Sequence, residues 1–418
     1  MTRLPRRLLG VVGASALLGA GLVLNPLPPA LGAARAADDC TPGIIGRIPG
    51  PPAAFDLLEA DPMEPGPRGS GVIVAVVDSG IDITRPQLAE AVIGGVSLIN
   101  DGERPDGFGD PNGHGTAIAG IIGARAAAGS GVVGLAPEAQ LLSVRVFRGS
   151  DEQSQKDGVG PDAVRIAEGI RYATAHGARV ITVAMSDDVE TAELRSAVEE
   201  ATAAGALVVA SAGNRATTTN QIDSTRYPAA YPGVLSVTAV NAIGLPTTDS
   251  IHGDHIDVAA PGQDVLTTAT GAGDCRYAVE APSTSFATGY AAAAAALIVE
   301  EHPGETPEQW AYRLKATADR PQADRSDTER GWGMIRPFDA IALLPASDTR
   351  GPASPFMENA GSAIIPPAVH LTVGDTPRPR EAATTIAVIG GSALLAVLTM
   401  LGLGTRILRR RREAAAAR

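Results

Sequence analysis

Four polar residues stand where an apolar run ends or a helix begins, and their types suit acyl transfer. Asp78 follows "VIVAVV" directly, His114 stands in "NGHGTAIAG", Asn214 closes "LVVASAGN", and Ser285 opens "SFATGYAAAAAALIVEE". A Ser hydroxyl is a poor nucleophile until a base takes its proton, and His is the side chain that ordinarily titrates nearest neutrality. A carboxylate can hold the imidazole tautomer and stabilise the cation that forms. An Asn amide can donate to a developing oxyanion. The chain order Asp, His, Ser is one in which that triad occurs.

Each residue also has a plainer reading. Asp after a strand is a turn or cap residue, His before Gly-Thr caps a helix or lies on the surface, and Asn after Gly makes a turn. Ser285 before a helix is a cap as readily as a nucleophile. The order of the four, all at element boundaries, favours the chemical reading.

The elements that must position them alternate in type. "GVIVAVVDSG", "QLLSVRVF", "ARVITVAM", "ALVVASAG", "VLSVTAV" and "HIDVAAPG" are apolar runs of strand length. Between them "GTAIAGIIGARAAAG", "PDAVRIAEGIRYATAHG" and "TAELRSAVEEATAAG" carry helical patterns, and the Ala-rich run from Ser285 follows. Uniformly apolar strands spaced by helices imply an α/β fold: a mostly parallel central sheet with helices on both faces. Functional groups in such sheets gather at the strand C-terminal ends.

The ends of the chain read as addresses. Residues 1–36 have a basic start, an apolar run and a small-x-small site at Ala34-Arg35-Ala36, the pattern of a signal peptide. Residues 37–69 form a Pro/Gly-rich extension with one short helical candidate at Phe55–Glu59, and 70–345 the globular domain. Residues 346–383 read as a Pro-rich tether. Residues 384–404 carry no charge and give about 30 Å of helix, enough to cross a bilayer once. The tail 405–418, with Arg406 and Arg409 to Arg412, places that end in the cytoplasm and the domain outside.

Residues 37–383 hold 24 basic against 45 acidic residues, which disfavours nucleic acid as a partner. No Gly-rich phosphate loop accompanies "VVDSGID", which argues against nucleotide binding. The two cysteines, Cys40 and Cys275, cannot complete a structural zinc site; whether they bridge is open. The acidic stretch Ile99–Asp110 is a weak calcium candidate and reads better as a solvated loop. No metal or cofactor is expected.

The blocks "VVDSGID", "GHGTAIAGII", "VVASAGN" and "STSFAT" resemble the signature blocks of subtilisin-like serine proteases, in order over about 275 residues. The appendages, with "YRLKATADRP" and "GWGMIRPFDAIALL", make the chain similar to the mycosins, the membrane-anchored subtilases of type VII secretion systems. The resemblance implies a subtilisin-like fold and a triad of Asp78, His114 and Ser285. It implies an oxyanion donor at Asn214, beside the Ser285 backbone N–H. Ala184, Met185 and Ser186, continuing to Asp187, and Ala210, Ser211, Ala212 and Gly213 would flank the substrate pocket. Implied partners are a protein or peptide substrate, the cytoplasmic membrane and type VII secretion membrane components. A largely structural role in that machinery, with little proteolysis, is the alternative.

Departures from the pattern carry expectations of their own. Ser283 stands where the family has Gly and should narrow the cleft; Gly289 stands where it has Pro and should loosen the mounting of Ser285 in the first helical turn. Thr182 replaces a usual Asn. Asn112-Gly113 stand where mycosins often carry Cys, so the extension should wrap the domain rather than act as a removable inhibitor. Asp187 and Asp188 should make the cleft acidic and favour basic substrates.

Overall fold

The central strand shows how the sheet sorts its side chains. In β1 (Ile73–Asp78), Val74 and Val76 enter one core while Ala75 and Val77 enter another. Successive strand residues point to opposite faces, so a fully apolar run must be covered on both sides. Asp78 shares the parity of Val74 and Val76 and therefore faces their side.

The computed structural model describes residues 40, 43, 45–60, 62, 65–217 and 221–357, with Leu398, Met400, Gly402, Gly404, Arg406 and Arg409. The remaining strands are β2 (Val92–Ser97), β3 (Gln140–Arg145), β4 (Val180–Val183), β5 (Leu207–Ser211), β6 (Val234–Val240) and β7 (Val258–Pro261), followed by the pair β8 (Val265–Ala269) and β9 (Gly273–Tyr277). The first seven strands form one sheet in the order β2-β3-β1-β4-β5-β6-β7, and every pairing in it is parallel. β8 and β9 pair as an antiparallel hairpin.

The helices are α1 (Ala54–Leu58), α2 (Pro86–Ala89), α3 (His114–Gly123), α4 (Glu152–Lys156), α5 (Ala163–Ala175), α6 (Ala192–Ala203), α7 (Thr284–Glu301), α8 (Pro307–Thr317) and α9 (Pro337–Ala342). α3 and α7 cover the face that Asp78 points to, and α5 and α6 cover the other. α7 is buried from Thr284 to Val299, which its run of alanines permits because small side chains let it lie close against the sheet. The chain leaves β1 toward β2 on one side and leaves neighbouring β4 toward β5 on the other, and ligands bind at such a switch in an open α/β sheet.

The sequence reading omitted β2, the β8–β9 hairpin, α8 and α9, and it ran α3 on to Gly129. Helix α3 stops at Gly123, where the Arg125 guanidinium bonds the Gly123 and Ala139 carbonyls at 3.3 and 3.0 Å, and Gly134 packs against the backbone of residues 122–124.

The extension lies along the β8–β9 hairpin. Cys40 and Cys275 form a disulfide with Cα atoms 5.5 Å apart, Gly46 bridges Gly273, and the Ile48 N–H bonds Asp274 at 2.9 Å. Phe55 and Leu58 of α1 enter the main core. At the junction with the domain, one Glu300 oxygen accepts the backbone N–H groups of Arg68, Gly69 and Ser70 at 2.7, 2.5 and 3.1 Å.

The chain divides into two compact units, Met1–Ala360 and Gly361–Arg418. The start of the expected tether lies against α8: Phe356 meets the Tyr312 ring at 5.8 Å and the Arg313 guanidinium at 5.6 Å. In the second unit six residues are described, all helical. Among the described residues no helix is long and apolar enough to cross a membrane. The expected signal peptide and most of the expected span 384–404 lie outside the described residues.

Candidate active site

Asp78 ends β1 fully buried, and its Oδ1 accepts the Ser79 N–H and faces His114 Nδ1, both at 2.7 Å. An ionised carboxylate only accepts, so Nδ1 carries the proton and Nε2 remains as the basic nitrogen. His114 is the first residue of α3, and the helix start is held from outside. Ser79 Oγ accepts the Gly115 N–H at 2.9 Å. Buried Asp110 accepts the Gly113 N–H at 2.8 Å and the Thr116 N–H and hydroxyl at 2.8 and 2.7 Å. Gly115 is obligatory there: a Cβ would lie 2.2 Å from the Gly80 carbonyl oxygen.

Burial opposes charging of His114, but the nearby Asp78 and Asp110 carboxylates outweigh it and hold its pKa above the ordinary value. Burial pushes the Asp110 carboxyl up, against its hydrogen bonds to Thr116 and Gly113. Phe286 lies 6.0 Å from the His114 ring and 5.5 Å from Tyr277, forming an aromatic wall behind the histidine.

His114, Asn214 and Ser285 line one cleft of about 210 Å³ at the C-terminal ends of the strands. Asn214 follows β5, and its Oδ1 accepts the Thr284 N–H at 2.8 Å. Its Nδ2 faces Ser283 Oγ at 3.4 Å. Thr284 Oγ1 pairs with Ser211 Oγ at 2.6 Å. Ser285, 9% exposed, lies in the first turn of α7. Among the described residues no hydrogen bond joins Ser285 to His114.

Of the residues proposed to flank the substrate, Ala184, Met185, Ser186, Asp187, Ser211 and Gly213 line the cleft. Ala210 and Ala212 do not present side chains to it: both are fully buried, Ala210 in the core with α5 and α6. Asp188 is not a cleft residue either; it lies 3.9 Å from the buried Arg226 guanidinium. Sequence reasoning missed Phe147, Ser150, Pro161, Asp162, Ile166 and Tyr227, which also line the cleft. The signal was the polar insertion "RGSDEQSQKDGVGPD" directly beyond a strand C-terminal end. It also missed Asp110, whose spacing to Gly113 is that of a capping residue.

Three further expectations are refined. Ser283 is not among the residues that line the cleft, so the expected narrowing is not seen there, and its backbone, at φ −123° and ψ 128°, is ordinary extended. Gly289 lies in the second turn of α7, not the first, and a Cβ there would meet Ile121 at 3.2 Å. Gly289 thus sets how closely the helix bearing Ser285 approaches the helix bearing His114. The stretch Ile99–Asp110 is exposed from Gly102 to Pro105 but anchored at Asp101: Arg145, fully buried, bonds both Asp101 oxygens at 2.8 and 2.6 Å and holds that carboxyl below its usual range. Among the described residues of the extension, none lines the cleft.

A parallel seven-stranded sheet with a paired Asp and His beside a Ser at a helix start defines the class of a subtilisin-like serine protease. The family comparison agrees. Residues 69–333 match the model of the subtilase family, and the chain belongs to that family. It is 36% identical over 273 residues to an intracellular serine protease of Paenibacillus polymyxa, covering 64% of this chain and 80% of that one. It is 36% identical over 255 residues to subtilisin E of Bacillus subtilis, covering 60% of this chain and 62% of the relative, under two thirds of its length. Among solved structures it is close to mycosins. The MycP3 protease of a type VII (ESX-3) secretion system superimposes with a TM-score of 0.61 at 27% identity, over 73% of this chain and 90% of that one. MycP1 from Mycobacterium smegmatis gives 0.61 at 26%, over 76% and 92%. The protein is a serine endopeptidase of the subtilisin-like class.

Proposed function

We propose that the protein cleaves exported proteins outside a cytoplasmic membrane, anchored by its C-terminal segment and acting beside a type VII secretion complex. The observation that carries the catalytic part is the 2.7 Å contact of Asp78 with His114, in a cleft that His114 shares with Ser285 and Asn214. Ser285 Oγ attacks the scissile carbonyl carbon while His114 Nε2 takes its proton. Asp78 holds the ring and stabilises the imidazolium. The oxyanion is met by the Ser285 N–H, at a helix N-terminus, and by Asn214 Nδ2. Collapse expels the amine, which takes its proton from His114, and water then hydrolyses the acyl-enzyme through the same base.

The pocket is formed by Ala184–Asp187 with Ser211 and Gly213. Asp162 and Asp187 line it, and no Lys or Arg is among the lining residues described, which supports a preference for basic side chains. Equal cleavage of matched Lys- and Glu-bearing peptides would overturn that preference. The disulfide supports an oxidising compartment. The signal-like residues 1–36, the tether from 346, the span 384–404 and the basic tail support the anchored topology. The likeness to MycP1 and MycP3 supports the secretion setting.

The first test treats the full-length protein with a fluorophosphonate probe and reads intact mass. A one-to-one adduct that disappears in Ser285→Ala is expected; an adduct retained by that variant refutes Ser285 as nucleophile. A second reading, a structural role in the secretion complex, draws on the engagement of Asn214 by Ser283. Secretion lost on deletion of the protein but kept in Ser285→Ala would favour it.

A further inference from the structure

Ser283 occupies the N-cap position of α7, where a Ser normally turns its hydroxyl to an amide of the first helical turn. Here it makes no such bond. Its backbone is fixed by other means: its N–H bonds the Gly262 carbonyl at 2.9 Å, and its own carbonyl accepts the Ala287 N–H at 3.3 Å. The hydroxyl is instead 3.4 Å from Asn214 Nδ2. The orientation of that amide is not arbitrary, because Oδ1 accepts the Thr284 N–H at 2.8 Å and so leaves Nδ2 as the donor end.

An oxyanion draws its stabilisation from donors about 2.7–3.1 Å from where its charge develops. In the free protein the donor end of Asn214 already has a partner, and that partner belongs to the chain. We propose that Ser283 is a brake on the oxyanion hole: its hydroxyl engages the Asn214 amide, and the reacting carbonyl must displace it. The inference rests on the peptidase reading above and concerns how fast the same site works. Ser283 acts through Asn214 and is a positioning residue, not a catalytic one.

The test compares wild type, Ser283→Ala, Ser283→Gly and Ser283→Thr, each with and without Asn214→Ala, by peptide hydrolysis and fluorophosphonate labelling of the full-length protein. Removing one neutral hydrogen bond predicts a rise in kcat of about two- to tenfold in the Ala and Gly variants. KM should stay near the wild-type value, because the brake opposes the transition state. Ser283→Thr keeps the hydroxyl and should stay near wild type. The gain should vanish when Asn214 is Ala. Thermal midpoints of Ser283→Ala and wild type should agree, since no cap bond is lost.

An active wild type whose kcat is unchanged or falls in both Ser283→Ala and Ser283→Gly overturns the brake while leaving the peptidase reading intact. A fall would make the hydroxyl a third donor to the oxyanion. An unlabelled wild type beside a labelled Ser283→Gly would support the brake in its strongest form. No labelling in any variant overturns the brake and the peptidase reading together.

Discussion

Helices α5 and α6 on one face of the sheet begin differently from α3 and α7, which bear His114 and Ser285 on the other. On the outer face, α5 and α6 carry their own caps: Asp162 accepts the Arg165 N–H at 2.9 Å, and Thr191 accepts the Leu194 N–H at 3.3 Å. α4 and α8 also carry local caps, Asp151 and Thr306, although α8 packs into the same core as α3 and α7. On the inner face, neither Gly113 nor Ser283 caps the helix it precedes. In α3 the His114 N–H goes to nearby Asn112, the Gly115 N–H to Ser79 and the Thr116 N–H to Asp110, and the Thr284 N–H of α7 goes to Asn214. Local caps stabilise a helix wherever it lies. Caps supplied from other segments do more, because they fix one helix start against a strand end and so place His114 against Asp78 and Ser285 beside Asn214.

The comparison breaks first at the chemical groups. Ser285→Ala and Asp78→Asn should each lower kcat by about 10⁴-fold or more with the fold intact. A loss below tenfold in a peptide assay would mean that the inner-face arrangement is scaffolding only. Next, Gly115→Ala drives a Cβ toward the Gly80 carbonyl and should cost about 1–3 kcal/mol or more, read as a lower thermal midpoint together with lost activity.

The same kind of substitution on the two faces sharpens the contrast. Asp110→Ala strands buried donors on Gly113 and Thr116 and should cost about 1–3 kcal/mol and depress kcat. Thr191→Ala removes a local cap, should cost about 1 kcal/mol, and should leave kcat unchanged. Equal effects of the two on kcat would erase the distinction drawn here.

A pH profile adds a finer test. His114 must be neutral to accept the Ser285 proton, and its pKa is raised by Asp78 and Asp110 against the pull of burial. Activity should therefore fall as pH drops through a value above the ordinary His pKa of about 6.5, read from the acidic limb of kcat/KM. A limb below that value would contradict the charge arrangement. The smallest effect is expected at Gly289. Ala gains up to about 1 kcal/mol of helix propensity, while its Cβ presses on Ile121 at 3.2 Å. The two should nearly cancel, leaving stability within about 1 kcal/mol of wild type by denaturant titration.

Much of this was legible before any coordinates. The apolar strand runs announced a buried parallel sheet, because only strands covered on both faces tolerate such runs. Asp78, His114, Asn214 and Ser285 were legible because each sits where an element changes, at the end of the sheet where loops meet. The elements overlooked were short or lacked a continuous apolar pattern. Strand β2, with Gly94 and Gly95, reads as a turn until its pairing with β3 is seen. The β8–β9 hairpin is defined by its pairing and by the extension against it.

What the tertiary structure alone decided was which polar groups find each other. Cys40 and Cys275 are 235 residues apart, and no spacing rule could pair them. Asp101 and Asp188 looked like charges for a metal or a substrate until Arg145 and Arg226 were found beside them. The residue types and their order along the chain determined which chemistry was available. Partnership was decided by the packing of segments far apart in sequence, because a hydrogen bond or ion pair depends on distances of a few ångströms that sequence separation does not encode.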